Sequence, residues 1–119
     1  LVTASAYYTA PSVHLDELRV FLSTVDTHRP LIIAGDFNEN EKAKAIKWLL
    51  DQGYQDALSI YDRRTKTWIW PTPLGIKLKN RFDHIIVNSH IRCAGARVIS
   101  VEASDHMPVM AVIVSDQTE

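Results

Sequence analysis

The sequence is short of cysteine, of net charge and of long apolar runs. Its 119 residues include one cysteine, Cys93, so an internal disulfide is excluded, and the reducing cytosol is only a default expectation for the compartment. No apolar run approaches the roughly 20 residues of a membrane-spanning helix, and no signal peptide is visible. The formal net charge of −1 excludes a broadly cationic protein of the histone kind. No spacing of histidine, cysteine and glutamate fits a structural zinc site.

The most informative segment runs from Leu31 to Asn38, where an apolar stretch ends in a glycine that is followed by polar residues. The apolar part is typical of a buried strand. Asp36 and Asn38 are two residues apart, so in an extended chain their side chains project to the same side. They also follow a strand's carboxyl end, where open α/β sheets place ligand sites. The alternative is an ordinary strand-to-loop turn capped by Asp36 and Asn38.

Two further strand-like segments carry acidic or imidazole groups at one end. Residues 81–84 (Arg-Phe-Asp-His) lead into the apolar run 85–87, and residues 104–106 (Ser-Asp-His) precede the apolar run 110–114. An isolated Asp-His pair is more often a surface turn. Three such ends in one short chain indicate a shared site.

Periodicity predicts an alternation of helices and strands. A first helix is expected from Pro11 to a point before Arg29, with His14 and His28 facing solvent, and a second over 41–52. Residues 54–62 are expected to be a connection. Strands are expected at 3–8, 31–35, 67–70, 82–88, 96–102 and 108–114. This order predicts an α/β layered sheet.

Taken together, these motifs resemble the endonuclease/exonuclease/phosphatase family of DNase I-like metal-dependent phosphoesterases. The matching segments, in family order, are Tyr8-Thr9-Ala10-Pro11-Ser12, Gly35-Asp36-Phe37-Asn38, Thr67-Trp68, Arg81-Phe82-Asp83 and Ser104-Asp105-His106. The resemblance implies half of a four-layered α/β sandwich, with a mixed sheet and two helices on one face. Residues 1–119 correspond to the carboxyl-terminal half of such a domain, without the early Glu that binds metal in the family. The resemblance therefore implies either self-association or a missing amino-terminal half.

The resemblance also implies a role for each motif residue. Asp105 would bind Mg2+ or Mn2+, which prefer carboxylate oxygen. Asp36 would orient or deprotonate the attacking water, and Asn38 would hold a phosphate oxygen. His106 would donate to the same phosphate as a cation supported by Asp83, because a neighbouring carboxylate raises an imidazole pKa. Tyr8 would donate its hydroxyl to the phosphate or leaving group.

The segment 63–81 suggests a substrate class. It holds only basic charges, on Arg63, Arg64, Lys66, Lys77, Lys79 and Arg81. Cations bind phosphates and aromatics stack on bases, so Trp68, Trp70, Lys77, Lys79 and Arg81 are candidate substrate-binding residues for nucleic acid. The alternative is a solvated loop whose Trp residues are core anchors, Trp68 above all.

A DNA-directed nuclease is the leading interpretation. The alternatives are a phosphatase or phosphodiesterase acting on a lipid, inositol phosphate or nucleotide, and a non-catalytic half-domain that acts in binding or dimerisation.

Overall fold

A computed structural model describes residues 11–102 and 104–115, and the helices and strands alternate before giving way to a run of strands. The helices are α1 (Pro11–Leu22), α2 (Lys44–Asp51) and α3 (Ala57–Tyr61). The strands are β1 (Ile32–Asp36), β2 (Gln55–Asp56), β3 (Trp68–Pro71), β4 (Lys77–Asn80), β5 (Asp83–Val87), β6 (Ile91–Val98) and β7 (Val109–Ser115). No helix among these residues is long and apolar enough to cross a membrane. The α/β class predicted from the sequence is confirmed.

The strand β5 organises the core because its two faces bury different partners. It lies between β1 and β2, and both pairings are antiparallel, as are β3 with β4 and β6 with β7. Ile86 packs against Leu22 of α1 and Leu49 of α2 on one face. Ile85 and Val87 face the opposite way and pack with β6. The two predicted helices therefore lie on one face of this sheet, as expected.

Helix α1 ends well before Arg29. The Ser23 hydroxyl donates to the Val20 carbonyl and the Thr24 hydroxyl donates to the Phe21 carbonyl, at 2.5 and 2.7 Å. These side chains satisfy carbonyls of the last turn, which removes the need for a further helical turn.

Several other boundaries differ from the sequence prediction. The expected connection at 54–62 contains α3, which begins because the Asp56 carboxylate accepts from the Leu58 amide. The segment after β3, where no strand was expected, contains β4. A turn at Gly75, whose φ is 78°, joins the two strands. Strand β6 begins five residues earlier than expected, at Ile91 rather than at 96.

The apolar run that begins at Leu31 forms a strand as predicted, but the prediction that this strand is buried was wrong. Ile33 of β1 is half-buried on the helical side, whereas Ile32 is 45% exposed and Ala34 is exposed. Within the described residues, β1 pairs only with β5 and lies at the edge of its sheet. The face of β1 opposite the helices, which carries Ile32 and Ala34, is exposed.

Candidate active site

The pairing of β1 with β5 brings two carboxylates of the sequence motifs together. In this antiparallel register Asp36 lies directly opposite Asp83, at the end of both strands. Residues that are directly opposite across such a pair project to the same face. The sheet therefore places both carboxylates side by side where β1 ends and β5 begins, although they are far apart in the sequence. This end of the two strands is called the sheet edge below.

His106 reaches the same edge through β3. The residue forms an isolated antiparallel bridge with Trp68, and the flanking backbone is bonded on both sides. The Ile69 amide donates to the Asp105 carbonyl at 2.9 Å, and the Met107 amide donates to the Thr67 carbonyl at 2.7 Å. The segment that carries His106 is thus fixed along a strand edge.

Thr67 connects this arrangement to β5. Its fully buried hydroxyl accepts from the amides of Phe82 and Asp83, at 2.9 and 3.1 Å. The backbone that carries Asp83 is therefore held by the same residue whose carbonyl holds the His106 segment.

The side chains of Asp36, Asp83 and His106 form one cluster. His106 Nδ1 donates to Asp83 Oδ2 at 2.9 Å, and His106 Nε2 lies 3.7 Å from Asp36 Oδ2. The side chains of His106 and Asp36 are 35% and 38% exposed, whereas that of Asp83 is 13% exposed. A ligand can therefore reach His106 and Asp36 from solvent, while Asp83 supports the ring from behind.

The electrostatics of the cluster favour a protonated imidazole. Burial lowers the pKa of His106, but the hydrogen bond and charge of Asp83, with the charges of Asp36 and Asp105, outweigh burial and raise this pKa above its ordinary value of 6.5. A protonated ring can donate from both nitrogens. With Nδ1 directed to Asp83, Nε2–H is the proton that faces solvent.

The loop after Asp36 has a tightly defined backbone. Asp36 Oδ1 accepts from the Asn38 amide at 2.8 Å, and the Phe37 amide donates to the Phe82 carbonyl at 2.8 Å. Asn38 has a φ of 51°, a left-handed conformation that Asn tolerates better than most residues. Asn38 therefore lies beside the cluster on a loop that is bonded to Asp36 and to Phe82, the residue before β5.

Asp36, Asp83 and His106 also form a possible metal site. One ligand atom from each residue lies within 4.8 Å of the others, and this group is found within residues 11–102 and 104–115. Two carboxylates and an imidazole suit a divalent ion. Asp105, which was predicted to bind the metal, is exposed and is not a member of this group. Its assignment stays a prediction.

The predicted substrate-binding residues separate onto two faces of the β3–β4 hairpin. Trp70 lies opposite Leu78, and Trp68 stacks on Trp70 with ring planes 9° apart. Lys77 and Lys79 pair with Pro71 and Ile69. Because alternate residues of a strand face opposite ways, the lysines project away from the tryptophans. Trp68 and His106 are bridged partners, so the aromatic face is the one continuous with the cluster.

Arg81 differs from the other substrate-binding candidates because it is 2% exposed. Its guanidinium donates to the carbonyls of Asp62 and Thr65, at 2.5 and 3.0 Å, and its Nε lies 3.6 Å from Glu41 Oε2. These contacts anchor the connection between α3 and β3. The guanidinium is therefore not available to a ligand in this conformation.

Two further points concern the sequence predictions. Tyr8 lies outside the described residues. His14 was expected to face solvent, but it is 7% exposed and its Nδ1 lies 2.8 Å from Glu39 Oε1. A helical signal for its burial was present, since His14 precedes Leu18 and Leu22 by one and two turns on the same face. Glu39 itself carried no such signal.

Comparison with known proteins identifies the fold. The profile described as "Endonuclease/Exonuclease/phosphatase family" matches residues 1–106. No curated protein sequence matches the chain.

Three solved structures illustrate the likeness. A functionally unknown conserved protein from Enterococcus faecalis V583 is 18% identical with a TM-score of 0.75, and the match covers 95% of this chain and 48% of that one. An endonuclease/exonuclease/phosphatase from Beutenbergia cavernae is 17% identical with a TM-score of 0.69, covering 92% and 33%. A mannosyl-6-phosphatase from Bacteroides thetaiotaomicron is 20% identical with a TM-score of 0.70, covering 90% and 48%.

Identities this low establish the fold alone, and the chain spans less than half the length of each of these structures. The family profile covers most of the chain and includes all three members of the cluster. The chain belongs to the endonuclease/exonuclease/phosphatase family.

Proposed function

We propose that this chain supplies the acid–base part of the active site of a metal-dependent phosphoester hydrolase. The observation that carries the proposal is the cluster of Asp36, Asp83 and His106 at one sheet edge, with His106 and Asp36 open to solvent. A phosphoester is anionic, so its hydrolysis requires donors for the phosphate oxygens and a base for the attacking water. The cluster offers both kinds of group.

Each residue has a distinct role in this proposal. His106 Nε2–H donates to a non-bridging phosphate oxygen, while Asp83 holds the ring by its Nδ1–H and keeps it protonated. Asp36 orients the attacking water and accepts its proton. Asn38, on the adjoining loop, donates an amide N–H to the phosphate. Tyr8 would be a further donor, from its hydroxyl to the phosphate or the leaving group.

A divalent ion fits beside these groups because the cluster contains two carboxylates. We assign Mg2+ or Mn2+, with Asp105 as the proposed ligand, since both ions prefer carboxylate oxygen. The negative charges of Asp36 and Asp83 would attract the ion while these two residues keep the roles given above. When bound, such an ion neutralises phosphate charge and lowers the pKa of a coordinated water.

Nucleic acid is the leading substrate in our proposal. The exposed basic residues of 63–79 provide a sequence-independent attraction for a phosphate backbone, and Trp70 is 50% exposed on the hairpin face that continues from His106. A base stacked on Trp70 would place its own phosphodiester toward the cluster.

A small phosphoester is the second candidate, and the hairpin register favours it. Lys77 and Lys79 project away from the face shared by Trp70 and His106, so a ligand bound at the cluster can contact both sets of side chains only if it is long enough to pass around the hairpin. The fold neighbour that is a mannosyl-6-phosphatase acts on a compact phosphomonoester by its name.

Turnover by the full-length protein tests the proposal. Hydrolysis of a DNA phosphodiester and of a sugar phosphomonoester would be measured with and without Mg2+ or Mn2+. We expect ion-dependent turnover of at least one substrate, and the preferred one assigns the class. Absence of turnover on both, with ligand binding retained, would contradict the proposal and favour the non-catalytic half-domain.

A further inference from the structure

Glu39 is an acidic residue in the core, immediately after the loop that carries Asn38. It is 4% exposed, and acidic side chains are almost never fully buried unless they are paired. Glu39 Oε1 lies 2.8 Å from His14 Nδ1 on α1. Glu39 Oε2 accepts from the Ala45 amide, in the first turn of α2, at 3.2 Å. The carboxylate thus connects both helices.

The main chain of Glu39 is held as firmly as its side chain. His84 Nε2 donates to the Glu39 carbonyl at 2.7 Å, and His84 Nδ1 lies 2.7 Å from Asp56 Oδ2. The side chains of His84 and Asp56 are both fully buried. Both ring nitrogens of His84 face acceptors, so its orientation is fixed by two hydrogen bonds. His84 directly follows Asp83 on β5, which links this network to the cluster.

These contacts restrict Asn38 from its carboxyl-terminal side. Asn38 has a φ of 51°, and a residue other than glycine keeps such a conformation when its surroundings determine it. On the amino-terminal side, the backbone N–H of Asn38 donates to Asp36 Oδ1 at 2.8 Å. Asn38 is therefore held between a carboxylate of the cluster and a residue anchored to α1, α2 and β5.

We propose that Glu39 is a positioning residue for the hydrolytic reaction, which acts through Asn38. The buried carboxylate and the carbonyl of Glu39 fix the loop so that the side-chain amide of Asn38 points toward the substrate phosphate. The inference rests on the proposed function, because it requires Asn38 to contact the phosphate. It adds a residue whose effect is exerted entirely through the loop backbone.

A double-mutant cycle in the full-length protein tests this inference. Glu39→Gln, Asn38→Ala and the double variant would be compared with wild type under saturating metal and substrate. We expect Glu39→Gln to lower kcat about tenfold with KM nearly unchanged, since misplacement of one donor affects the transition state most. In the Asn38→Ala background the same substitution should change kcat less than about twofold, because the group that it positions is already gone.

Controls separate positioning from folding. Glu17→Gln on the exposed side of α1 changes the same functional groups and should leave kcat unchanged. Glu39→Asp, which keeps the charge, would be used if Glu39→Gln fails to fold as judged by circular dichroism, and it should show the same dependence on Asn38.

The possible outcomes are distinguishable. Equal losses of kcat in both backgrounds would overturn the positioning role while leaving the proposed function in place. A wild-type protein without any hydrolytic activity would overturn the proposed function and this inference with it.

Discussion

At the scale of single residues, the cluster is defined by which ring nitrogen meets which carboxylate. His106 Nδ1 is bonded to Asp83, the less exposed of the two acids, and Nε2 is turned to Asp36 and to solvent. This geometry gives Asp83 a supporting role and leaves Asp36 accessible. The sequence indicated these residues through three separate motifs, but the register that brings them together required the structure.

The first prediction concerns the titration of His106. In the metal-free chain, Asp83→Asn should lower the pKa of His106, because it removes the carboxylate whose hydrogen bond and charge most raise that pKa. The ring would then lose its proton at lower pH than in wild type. NMR titration of the imidazole protons measures this directly.

Two histidines outside the cluster provide the control. The imidazole signals of His28 and His90, which are exposed, serve as internal references in both spectra. An unchanged pKa of His106 in Asp83→Asn would contradict the assigned hydrogen bond.

The second prediction concerns the buried pair of His84 and Asp56. Burial lowers the pKa of His84, but the hydrogen bond and charge of Asp56 outweigh it and raise this pKa above 6.5. Burial raises the pKa of Asp56, but the hydrogen bond and charge of His84 lower it below 3.8. A raised histidine pKa stabilises the fold at low pH, and that stability is lost as pH rises through the folded-state value. A lowered aspartate pKa stabilises the fold at higher pH, and that stability is lost as pH falls.

The pair of His84 and Asp56 should therefore contribute most to the free energy of unfolding between pH 3.8 and pH 6.5, the ordinary pKa values of the two groups. We expect Asp56→Ala to reduce the free energy of unfolding of metal-free protein by about 3 kcal/mol near pH 5.5, because it leaves a buried histidine unpaired. The loss should be smaller at a pH above the raised pKa of His84, where wild type has also lost that contribution. Denaturant unfolding at both pH values measures it, and an equal loss at both would show that the pair is not charged.

At the scale of secondary structure, the β3–β4 hairpin separates two kinds of ligand contact. One face carries Trp68, Trp70 and Leu78, and the other carries Lys77 and Lys79. If the substrate is nucleic acid, replacing both lysines with alanine should weaken binding alike for all sequences. It should also reduce the slope of log K against log salt by up to about two, because each phosphate contact releases roughly one counterion.

Trp70→Ala should behave differently from the lysine variants. Stacking does not depend on ion release, so affinity should fall with little change in the salt slope. Lys47→Ala, an exposed lysine on α2, is the matched control. A salt slope that does not respond to Lys77 and Lys79 would remove these residues from the nucleic-acid interface and favour a small phosphoester.

The same elements show which parts of the fold the sequence could predict. Helix α2 was visible because the apolar residues Ala43, Ile46, Leu49 and Leu50 recur at helical spacing. Ile46 and Leu49 are buried as expected, whereas Ala43 is the amino-terminal cap and Leu50 is 37% exposed. Strand β4 was missed because Lys77 and Lys79 indicated a basic, solvent-facing segment. The apolar Leu78 between these two lysines is nevertheless the polar–apolar alternation of a strand. The short helix α3 was missed because five residues carry too little periodicity, and only the Asp56 cap marked its start.

The residues of the candidate site also differ in whether the sequence could predict them. Asp36 and Asp83 lie at strand ends and His106 precedes β7, so these residues could be identified locally. The burial of Arg81 and of Glu39 depends on contacts 16 to 25 positions away in the sequence. Long-range contacts of this kind leave no local pattern, so a charged residue that anchors the core looks like one that faces a ligand.

At the scale of the whole molecule, apolar side chains remain exposed on β1 and β7. Ile32, Met110 and Val112 are 45%, 38% and 51% exposed. Large exposed apolar patches mark interaction surfaces in soluble proteins. We predict that residues 1–119, purified alone, self-associate at micromolar concentration, and that Ile32→Lys with Val112→Lys shifts the population toward monomer. Sedimentation velocity measures this, and a wild-type chain that stays monomeric across the concentration range would contradict it.

The kcat of the full-length protein with and without the His106 imidazole tests most directly whether the cluster of Asp36, Asp83 and His106 performs phosphoester hydrolysis. His106→Gln should lower kcat by a factor on the order of 10² or more, because His106 acts on charge that develops in the transition state. His28→Gln, which changes an exposed histidine outside the site, should retain wild-type kcat. A folded His106→Gln protein with near-normal kcat would show that the cluster is not the site of the reaction.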